Sequence, residues 1–320
     1  MPAVSVIIPV YNVEPYVAAC VRSVFGQTLE DMEFIFVDDA STDRSMELVR
    51  QVLEEEFPTR KPQVKCCRMP VNSGQAKVRM QGLSLAEGAY IAHCDADDEL
   101  ISADAYRLMY EKAVAEQLDI VTCNIIQEDQ AHGQTLVREA CGGVAELLTD
   151  KAQGSLVCRL FKRELLEGII APVGNMGEDL FLSVQLTMQA RATGHVDKPL
   201  YLYKYHPSSS SKNREKESAI ARHHALVANV RLLVQWLEGT GRWTANAPEI
   251  ICFKYLSRHC IEPYVGDKAC WQLWKSTFPE VDKKVLFTPG LSLEKKGWFV
   301  LIHLRLYSLV KGITRHRRGA

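Results

Sequence analysis

The first 125 residues alternate between apolar runs of strand length and stretches in which apolar residues recur at helical spacing. The strand-like runs cover residues 4–10, 34–37, 64–68, 90–94 and 119–124. The helix-like stretches cover residues 14–27, about 43–56 after a predicted cap at Ser41 or Thr42, 74–86 and 103–117. This alternation predicts an α/β fold with a doubly wound, mostly parallel sheet and helices on both faces. From about Glu215 the pattern is helical, which predicts a helical C-terminal region.

Polar residues follow three of the predicted strands. They are Tyr11, Asn12 and Glu14 after the first, Asp38, Asp39 and Ser41 after the second, and Asp95, Asp97 and Asp98 after the fourth. Parallel strands bring such ends to one edge of a sheet, where α/β proteins bind ligands. We expect a nucleotide there, with Tyr11 against the base, Asp39 hydrogen-bonded to base or ribose, and Asp97 on a metal that neutralises a diphosphate. For Asp39 the alternative is a helix N-cap.

The segment Asp95-Ala96-Asp97-Asp98 is the sharpest of these motifs. Carboxylates this close repel one another unless a hard cation neutralises them, and Mg²⁺ or Mn²⁺ held by one or two carboxylates completes its shell with water and substrate phosphates. An isolated motif of this kind also occurs as an acidic turn that caps a following helix. The sequence therefore predicts a divalent cation at this turn, with the acidic cap as the alternative.

Composition narrows the class of protein. The chain has 320 residues, of which 24% are charged and 47% hydrophobic, with a formal net charge of -1, so it is globular and has no overall bias toward nucleic acid. Ten cysteines without C-x-x-C pairs, and an opening without a signal-like segment, favour a reducing, cytoplasmic protein. No uncharged run reaches the roughly 20 residues needed to cross a bilayer.

The ordered set of motifs resembles the inverting family 2 glycosyltransferases of GT-A fold, of the type that builds bacterial surface polysaccharides, over roughly the first 210 residues. The matching segments are 4–12, 37–43, 72–82, 95–98, the acidic pair in 177–179, and the tyrosine-rich stretch 201–206 with the serines after it. Each segment alone is unspecific, whereas the whole order is highly specific. The resemblance implies a nucleotide-sugar donor and a divalent cation, Mn²⁺ or Mg²⁺.

The resemblance also implies roles for individual residues. Asp179, with Glu178 beside it, is similar to the catalytic base of the family, and Asp97 is the expected metal ligand, with His206 as a weaker one. The alternative for the acidic pair is a helix N-terminus, where acids are favoured. Nucleotide-sugar binding is expected from Pro9, Tyr11, Asn12, Glu14, Asp39, Ser41, Asn72, Gly74, Lys77, Arg79, Asp95, Ala96 and Asp97.

The chain departs from the family pattern at two positions and lacks one motif. Met80 stands where the family usually has asparagine and Val78 where it usually has alanine, so a polar contact is missing or comes from Lys77. The Gln-x-x-Arg-Trp motif of processive members is absent. This absence favours the addition of one sugar per encounter.

Residues 291–320 carry a second informative pattern, a basic amphipathic helix. Trp298, Phe299 and Ile302 belong to its broad apolar face, and Lys311 with Arg315, Arg317 and Arg318 supplies positive charge. Such a helix suits an anionic membrane surface, into which those three side chains would insert. The alternative is a terminal helix packed on its own domain. The predicted domains are therefore 1–212 for the transferase, 213–290 for a helical region, and 291–320 for a membrane-surface anchor.

Together these features predict an inverting, metal-dependent transfer of a sugar from a nucleotide sugar, expected to be a UDP sugar. The acceptor is expected to be a saccharide, lipid-linked, in surface polysaccharide synthesis, with the enzyme peripheral on the inner face of the cytoplasmic membrane. The alternative is a degenerate transferase that serves as a binding or scaffold subunit. A dinucleotide-binding dehydrogenase is excluded by the lack of G-x-G-x-x-G, and nucleotidyl transfer is disfavoured because no glycine-rich loop follows the first strand.

Overall fold

A computed structural model describes residues 1–129, 134–138, 142–152, 154–204 and 215–307. The chain divides into two compact units. Unit 1 comprises Met1–Val144, Ala152–Pro172 and Leu182–Pro207, and unit 2 comprises Ala145–Lys151, Val173–Phe181 and Ser208–Ala320. This division differs from the predicted linear domains, because two short segments of unit 2 come from within residues 1–212.

Unit 1 contains a mixed sheet. Its strands are β1 Val4–Val10, β2 Met32–Asp38, β3 Val64–Arg68, β4 Tyr90–His93, β5 Glu99–Leu100, β6 Ile120–Asp129, β7 Gln134–Arg138, β8 Arg159–Lys162 and β9 Thr193–Tyr203. They run in the order β3-β2-β1-β4-β8-β6-β9-β5, and β7 pairs with β6. The predicted fold class is confirmed.

The first four strands form the parallel half of this sheet. β1 pairs in parallel with β2 and β4, and β2 with β3. β8 then lies antiparallel to both β4 and β6, and β6 pairs in parallel with β9. The predicted fifth strand, β6, therefore does not extend the parallel half, because the four-residue strand β8 lies between it and β4. A strand that short has no periodicity that a sequence pattern can show.

Helices flank the parallel strands in the predicted order. They are α1 Val17–Phe25, α2 Ser45–Glu55, α3 Gln75–Leu85 and α4 Ala105–Ala115. The prediction that Ser41 or Thr42 caps α2 is wrong, since the helix begins at Ser45. The Asp43 carboxylate accepts from the Ser45 N–H (3.0 Å) and the Glu14 carboxylate from the Arg44 N–H (3.0 Å), which satisfies two donors at this helix start.

The described part of unit 2 is helical, as predicted. The remaining helices are α5 Val144–Leu148, α6 Glu178–Gln189, α7 Lys216–Gly239, α8 Pro248–Leu256, α9 Lys268–Ser276, α10 Asp282–Val285 and α11 Leu293–His303. Trp274 is fully buried, and the Arg258 guanidinium lies 4.5 Å from its ring centroid. Arg258 also donates to Asp282 (2.7 Å), so its buried charge is compensated.

The C-terminal helix packs on unit 2 with the face that was predicted to enter a membrane. Phe299 is 6% exposed and Ile302 is fully buried, and the Phe299 ring lies 5.9 Å from that of Trp274. Membrane insertion through Phe299 and Ile302 is therefore wrong, because these side chains belong to the core. Within the described residues, no helix is both long and apolar enough to cross a bilayer. The basic residues from Lys311 to Arg318 lie outside the described part of the chain.

The buried His223 of α7 should make the stability of unit 2 sensitive to acid. Its Nε2 atom lies 2.9 Å from Thr277 Oγ1, and burial lowers the imidazole pKa to about 4. The unfolded chain binds a proton near the ordinary value of about 6.5 while the folded chain stays neutral, so stability falls as the pH falls from 6.5 toward 4. We expect a loss of about 2 kcal/mol between about pH 7.5 and about pH 5.

Urea unfolding followed by tryptophan fluorescence measures this effect in unit 2, since all five tryptophans lie between Trp236 and Trp298. His223→Gln keeps a polar partner for Thr277 and does not titrate, so it should flatten the pH dependence. The exposed neighbour His224→Gln is the comparison variant and should change the dependence less, because burial is the largest cause of the lowered His223 pKa and the nearby His224 comes second. Equal slopes for the two variants would contradict the assignment.

Candidate active site

The acidic turn follows β4 directly and forms the centre of the site in unit 1. Asp95 and Asp97 are half-buried, whereas Ala96 and Asp98 are buried. The Asp98 N–H donates to the Asp95 carbonyl (3.0 Å), which closes a tight turn. Because β1, β2 and β4 are parallel neighbours, this turn and the segments after Val10 and Asp38 lie at the same edge of the sheet. The structure thus confirms the predicted placement of these three strand ends.

Arg79 of α3 holds one carboxylate of the turn in place. Its side chain is 1% exposed, and Nη2 lies 2.9 Å from Asp95 Oδ1. Arg79 was predicted to bind the nucleotide sugar, and this contact stays a prediction; the structure shows its buried guanidinium against Asp95. Burial, with the Arg79 charge nearby, also lowers the pKa of His93 well below its ordinary value, so that this imidazole is neutral.

A hydroxyl of β9 links two carboxyl-bearing residues of the turn. The Tyr201 hydroxyl accepts from the Asp95 N–H (3.1 Å) and donates to Asp98 Oδ2 (2.8 Å). The Lys204 N–H donates to Asp98 Oδ1 (2.9 Å). Burial, together with the charges of Asp95 and Asp97, raises the pKa of Asp98 to about 8. Asp98 therefore orients the turn from beneath and is not placed to contact a ligand.

Asp39 after β2 fastens the start of α3. Its two carboxylate oxygens accept from the backbone N–H groups of Ser73 (2.7 Å) and Gly74 (2.8 Å). The alternative, a cap of the following helix α2, is therefore wrong. Gly74 has φ 83°, which favours glycine at this position. The side chains of Asn72 and Lys77 on either side of Gly74 are exposed.

The loop after β1 is tied to the loop after β2 by side chains that were predicted to bind ligand. The Asn12 side-chain oxygen accepts from the Thr42 N–H (2.8 Å), and the Ser41 hydroxyl accepts from the Asn12 N–H (3.2 Å). Tyr11 is 46% exposed, and Pro9 is half-buried within β1. Tyr11 and Asn12 are exposed and Ser41 is buried, and the ligand contacts expected of these three residues stay predictions.

Several contacts within the candidate site were not predicted from the sequence. Gln75 donates to Asp95 Oδ1 (3.3 Å), and the relay from Tyr201 to Asp98 was not assigned a role. The position of Asp98 next to Asp97 was the available signal for that residue, and nothing in the sequence singled out Gln75. Of the two departures from the family pattern, Val78 is buried in the core and Met80 is half-buried.

The acidic turn offers carboxylate ligands for a hard divalent cation but not a complete set of ligands. Among the described residues, no three histidine, cysteine, aspartate or glutamate side chains converge as a complete metal site. Mg²⁺ and Mn²⁺ need only one or two protein carboxylates when a substrate diphosphate supplies further oxygens, and the half-buried Asp97 offers such a ligand. His206 lies outside the described residues.

The acidic pair of unit 2 opens α6. Glu178 is buried and Asp179 half-buried, and they follow Gly177, whose φ is 74°. The side chain of Asn229 on α7 holds the loop before them. Its oxygen accepts from the N–H groups of residues 173 (2.9 Å) and 174 (3.0 Å), and its amide nitrogen donates to the carbonyls of residues 174 (2.8 Å) and 176 (2.9 Å). The sequence did not indicate this role for Asn229.

The chain is similar in sequence to a putative glycosyltransferase and to a protein of teichoic acid biosynthesis, both bacterial. Putative glycosyltransferase EpsH of Bacillus subtilis is 30% identical over 244 residues, which is 71% of this chain and 69% of EpsH. The minor teichoic acid biosynthesis protein GgaB of the same organism is 28% identical over 216 residues, 65% of this chain and 23% of GgaB.

Solved structures share the fold. Staphylococcus aureus TarS 1-349 in complex with UDP-GlcNAc superposes with a TM-score of 0.63 at 15% identity and covers 98% of this chain and 92% of that one. The mannosyltransferase PcManGT of Pyrobaculum calidifontis, in complex with GDP-Man and Mn²⁺, gives a TM-score of 0.52 at 18% identity, with 98% and 87% covered. Residues 5–167 match the domain of glycosyl transferase family 2. The chain therefore belongs to glycosyl transferase family 2 and is a glycosyltransferase of GT-A fold.

Proposed function

We propose that this glycosyltransferase transfers one sugar per encounter, with inversion, from a UDP sugar to a lipid-linked saccharide in surface polysaccharide synthesis. The observation that carries the proposal is the shared sheet edge, at which Tyr11, the Asp39-bound start of α3, and the acidic turn lie together. TarS 1-349 has been solved with UDP-GlcNAc and PcManGT with GDP-Man, which supports a nucleotide sugar as the donor.

Each part of this edge has a chemical task in the proposal. The exposed Tyr11 ring offers a surface for the base, and Asp97 with Asp95 would hold a divalent cation. When bound, that cation supplies positive charge to the diphosphate that departs. Arg79 and Tyr201 keep Asp95 oriented, and the exposed Lys77 can add charge on the side of the phosphates.

The acceptor hydroxyl must lose a proton as its oxygen bonds to the anomeric carbon and the bond to the diphosphate breaks. Asp179 is proposed as the base that takes this proton, because the segment 177–179 resembles the acidic pair that carries the base in this family. Asn229 and Gly177 fix the loop from which Asp179 emerges, and Glu178, which is buried, is the second candidate.

Calorimetry with a panel of nucleotide sugars, with and without Mn²⁺, tests the donor part of the proposal. We expect UDP and at least one UDP sugar to bind more tightly when Mn²⁺ is present. If no nucleotide sugar bound under either condition, the scaffold alternative would replace the enzymatic one.

Asp97→Asn should weaken the binding of UDP in the presence of Mn²⁺ by at least about tenfold, because the variant loses the negative charge that attracts the cation. Binding without Mn²⁺ should change little. Asp31→Asn is the matched control, since the exposed Asp31 precedes β2 at the opposite end of that strand. Calorimetry of the three proteins measures the difference, and equal affinities would remove Asp97 from the metal site.

Asp179→Asn should preserve UDP binding and slow sugar transfer by roughly a hundredfold, the usual effect of losing a general base. The measurement is UDP release from the bound donor in the presence of a lipid-linked saccharide extract. Glu178→Gln is the contrasting variant and should retain more activity. If transfer by Asp179→Asn stayed within a few fold of the unmodified enzyme while Glu178→Gln lost it, Glu178 would be the base.

A lipid-linked acceptor requires contact with a membrane, and we propose that an apolar tip on unit 2 provides it. The tip consists of Phe287 and Leu293, which are 85% and 87% exposed. Four lysines and one glutamate lie between residues 283 and 296, so the tip carries positive charge. Large exposed apolar side chains among basic residues fit an anionic lipid surface, where each lysine contributes about 1 kcal/mol. In this proposal the tip contacts the membrane, and Phe299 and Ile302 of α11, which the sequence predicted to insert, do not.

The double variant Phe287→Ser and Leu293→Ser should release the protein from vesicles of phosphatidylglycerol and phosphatidylcholine, because the inserted apolar groups are lost. Co-sedimentation at low salt measures the bound fraction, and UDP binding should be unchanged. Val114→Ser is the matched control, since Val114 is an exposed apolar residue in unit 1. The tip is refuted if the double variant sediments like the unmodified protein, or if the unmodified protein does not sediment.

A further inference from the structure

Unit 2 contains a cavity of about 310 Å³ whose lining is mainly aliphatic. The apolar side chains that line it are Leu147, Leu148, Leu180, Leu226, Phe253 and Leu256. Leu147, Leu148 and Phe253 are buried and belong to the floor, whereas Asp150 and His259 are exposed and belong to the mouth. The cavity volume falls in the range of binding sites for small molecules or parts of larger ones.

The chemistry of the lining selects a hydrocarbon. A saccharide needs several converging hydrogen-bond partners. The buried polar residue in the lining is Ser257, and its hydroxyl already donates to the Lys254 carbonyl (2.7 Å), while the other polar lining residues are Asp150, His259 and Lys295. Burial of aliphatic surface is favourable in proportion to the area removed from water, so a flexible alkyl or isoprenoid chain gains most from these walls. Lys295 also lines the cavity and pairs with Asp150 (3.3 Å). A lysine at this place can meet the phosphate to which such a chain is attached.

The cavity lies beside the first turn of α6, which carries the proposed base. Leu180 follows Asp179 directly and contributes to the lining. Leu226 of α7 also lines the cavity and packs against Gly177, where an added Cβ atom would lie 2.6 Å from Leu226 Cδ1. Two of the lining residues are therefore in or against residues 177–180, so the cavity adjoins the segment that contains the acidic pair.

We propose that this cavity binds the part of the acceptor's hydrocarbon chain nearest its phosphate, and that the enzyme recognises its acceptor by this chain as well as by the saccharide. The inference rests on the proposed function, because it takes the acceptor to be lipid-linked. It adds a site for the acceptor that is separate from the strand ends of unit 1. It is also distinct from the apolar tip, since Phe287 and Leu293 do not line the cavity.

Calorimetry of the full chain with butyl, hexyl, octyl and decyl phosphate, each below its micellar concentration, tests the site. Affinity should rise by up to about fourfold for each methylene group that is buried, until the cavity is filled. Leu256→Trp narrows the cavity and should remove the dependence on chain length. Leu304→Trp is the matched control, because Leu304 is 61% exposed and does not line the cavity.

Two further measurements keep the outcomes separate. Leu256→Ser places a polar group in the wall and should weaken octyl phosphate binding, while the serine double variant of the tip should leave it unchanged. A flat series of affinities for the unmodified protein, or an unchanged series for both Leu256 variants, overturns the cavity assignment. UDP binding with Mn²⁺ is measured on the same samples. If UDP does not bind, the donor proposal is contradicted. If UDP binds but the affinity for alkyl phosphates does not depend on chain length, the cavity assignment alone is contradicted.

Discussion

The buried ion pair between Arg79 and Asp95 is the interaction on which the site in unit 1 depends. A guanidinium that is 1% exposed needs a counter-charge, and Asp95 provides one at 2.9 Å. Burying a guanidinium is costly unless it is paired, so the contact with the half-buried Asp95 stabilises Arg79 in its buried position. The pair therefore fixes α3 to the turn after β4. Asp95 and Asp97, two residues apart in this turn, are the carboxylates that would hold a cation in the proposed site.

Hydrogen bonds from side chains to backbone N–H groups hold the other segments of this sheet edge in place. Asp39 accepts hydrogen bonds from the N–H groups of Ser73 and Gly74, and the Asn12 side chain accepts one from the Thr42 N–H. The loop after β2 and the start of α3 are thus each held by a side chain from a neighbouring segment. A carboxylate bonded to two N–H groups has little freedom to reorient. A nucleotide would therefore bind to a surface that is already ordered, so the loss of conformational entropy on binding would be smaller.

The bounds of β1 and β3 were predicted to the residue, because the position of a strand follows from the local pattern of apolar residues. The common location of the three strand ends was also predicted, because neighbouring parallel strands end at the same edge of a sheet. The sequence did not predict β8, which is too short to show a period, or the burial of Arg79. It also misassigned Phe299 and Ile302, since amphipathicity identifies a face of a helix but not what covers it. Asn229 and Gly174 are 55 residues apart, and no local pattern reports such a contact.

Helix α7 contacts both the segment before the proposed base and the proposed chain-binding cavity in unit 2. Asn229 and Leu226 are three residues apart and therefore lie on the same face of the helix. Asn229 holds the loop at residues 173–176, and Leu226 packs against Gly177 while it lines the cavity. Any side chain at position 177 would need both a positive φ and space that Leu226 occupies. A shift of α7 would thus move the cavity wall and the segment that leads into α6 together, which would couple the binding of a chain in the proposed site to the position of the proposed base, Asp179.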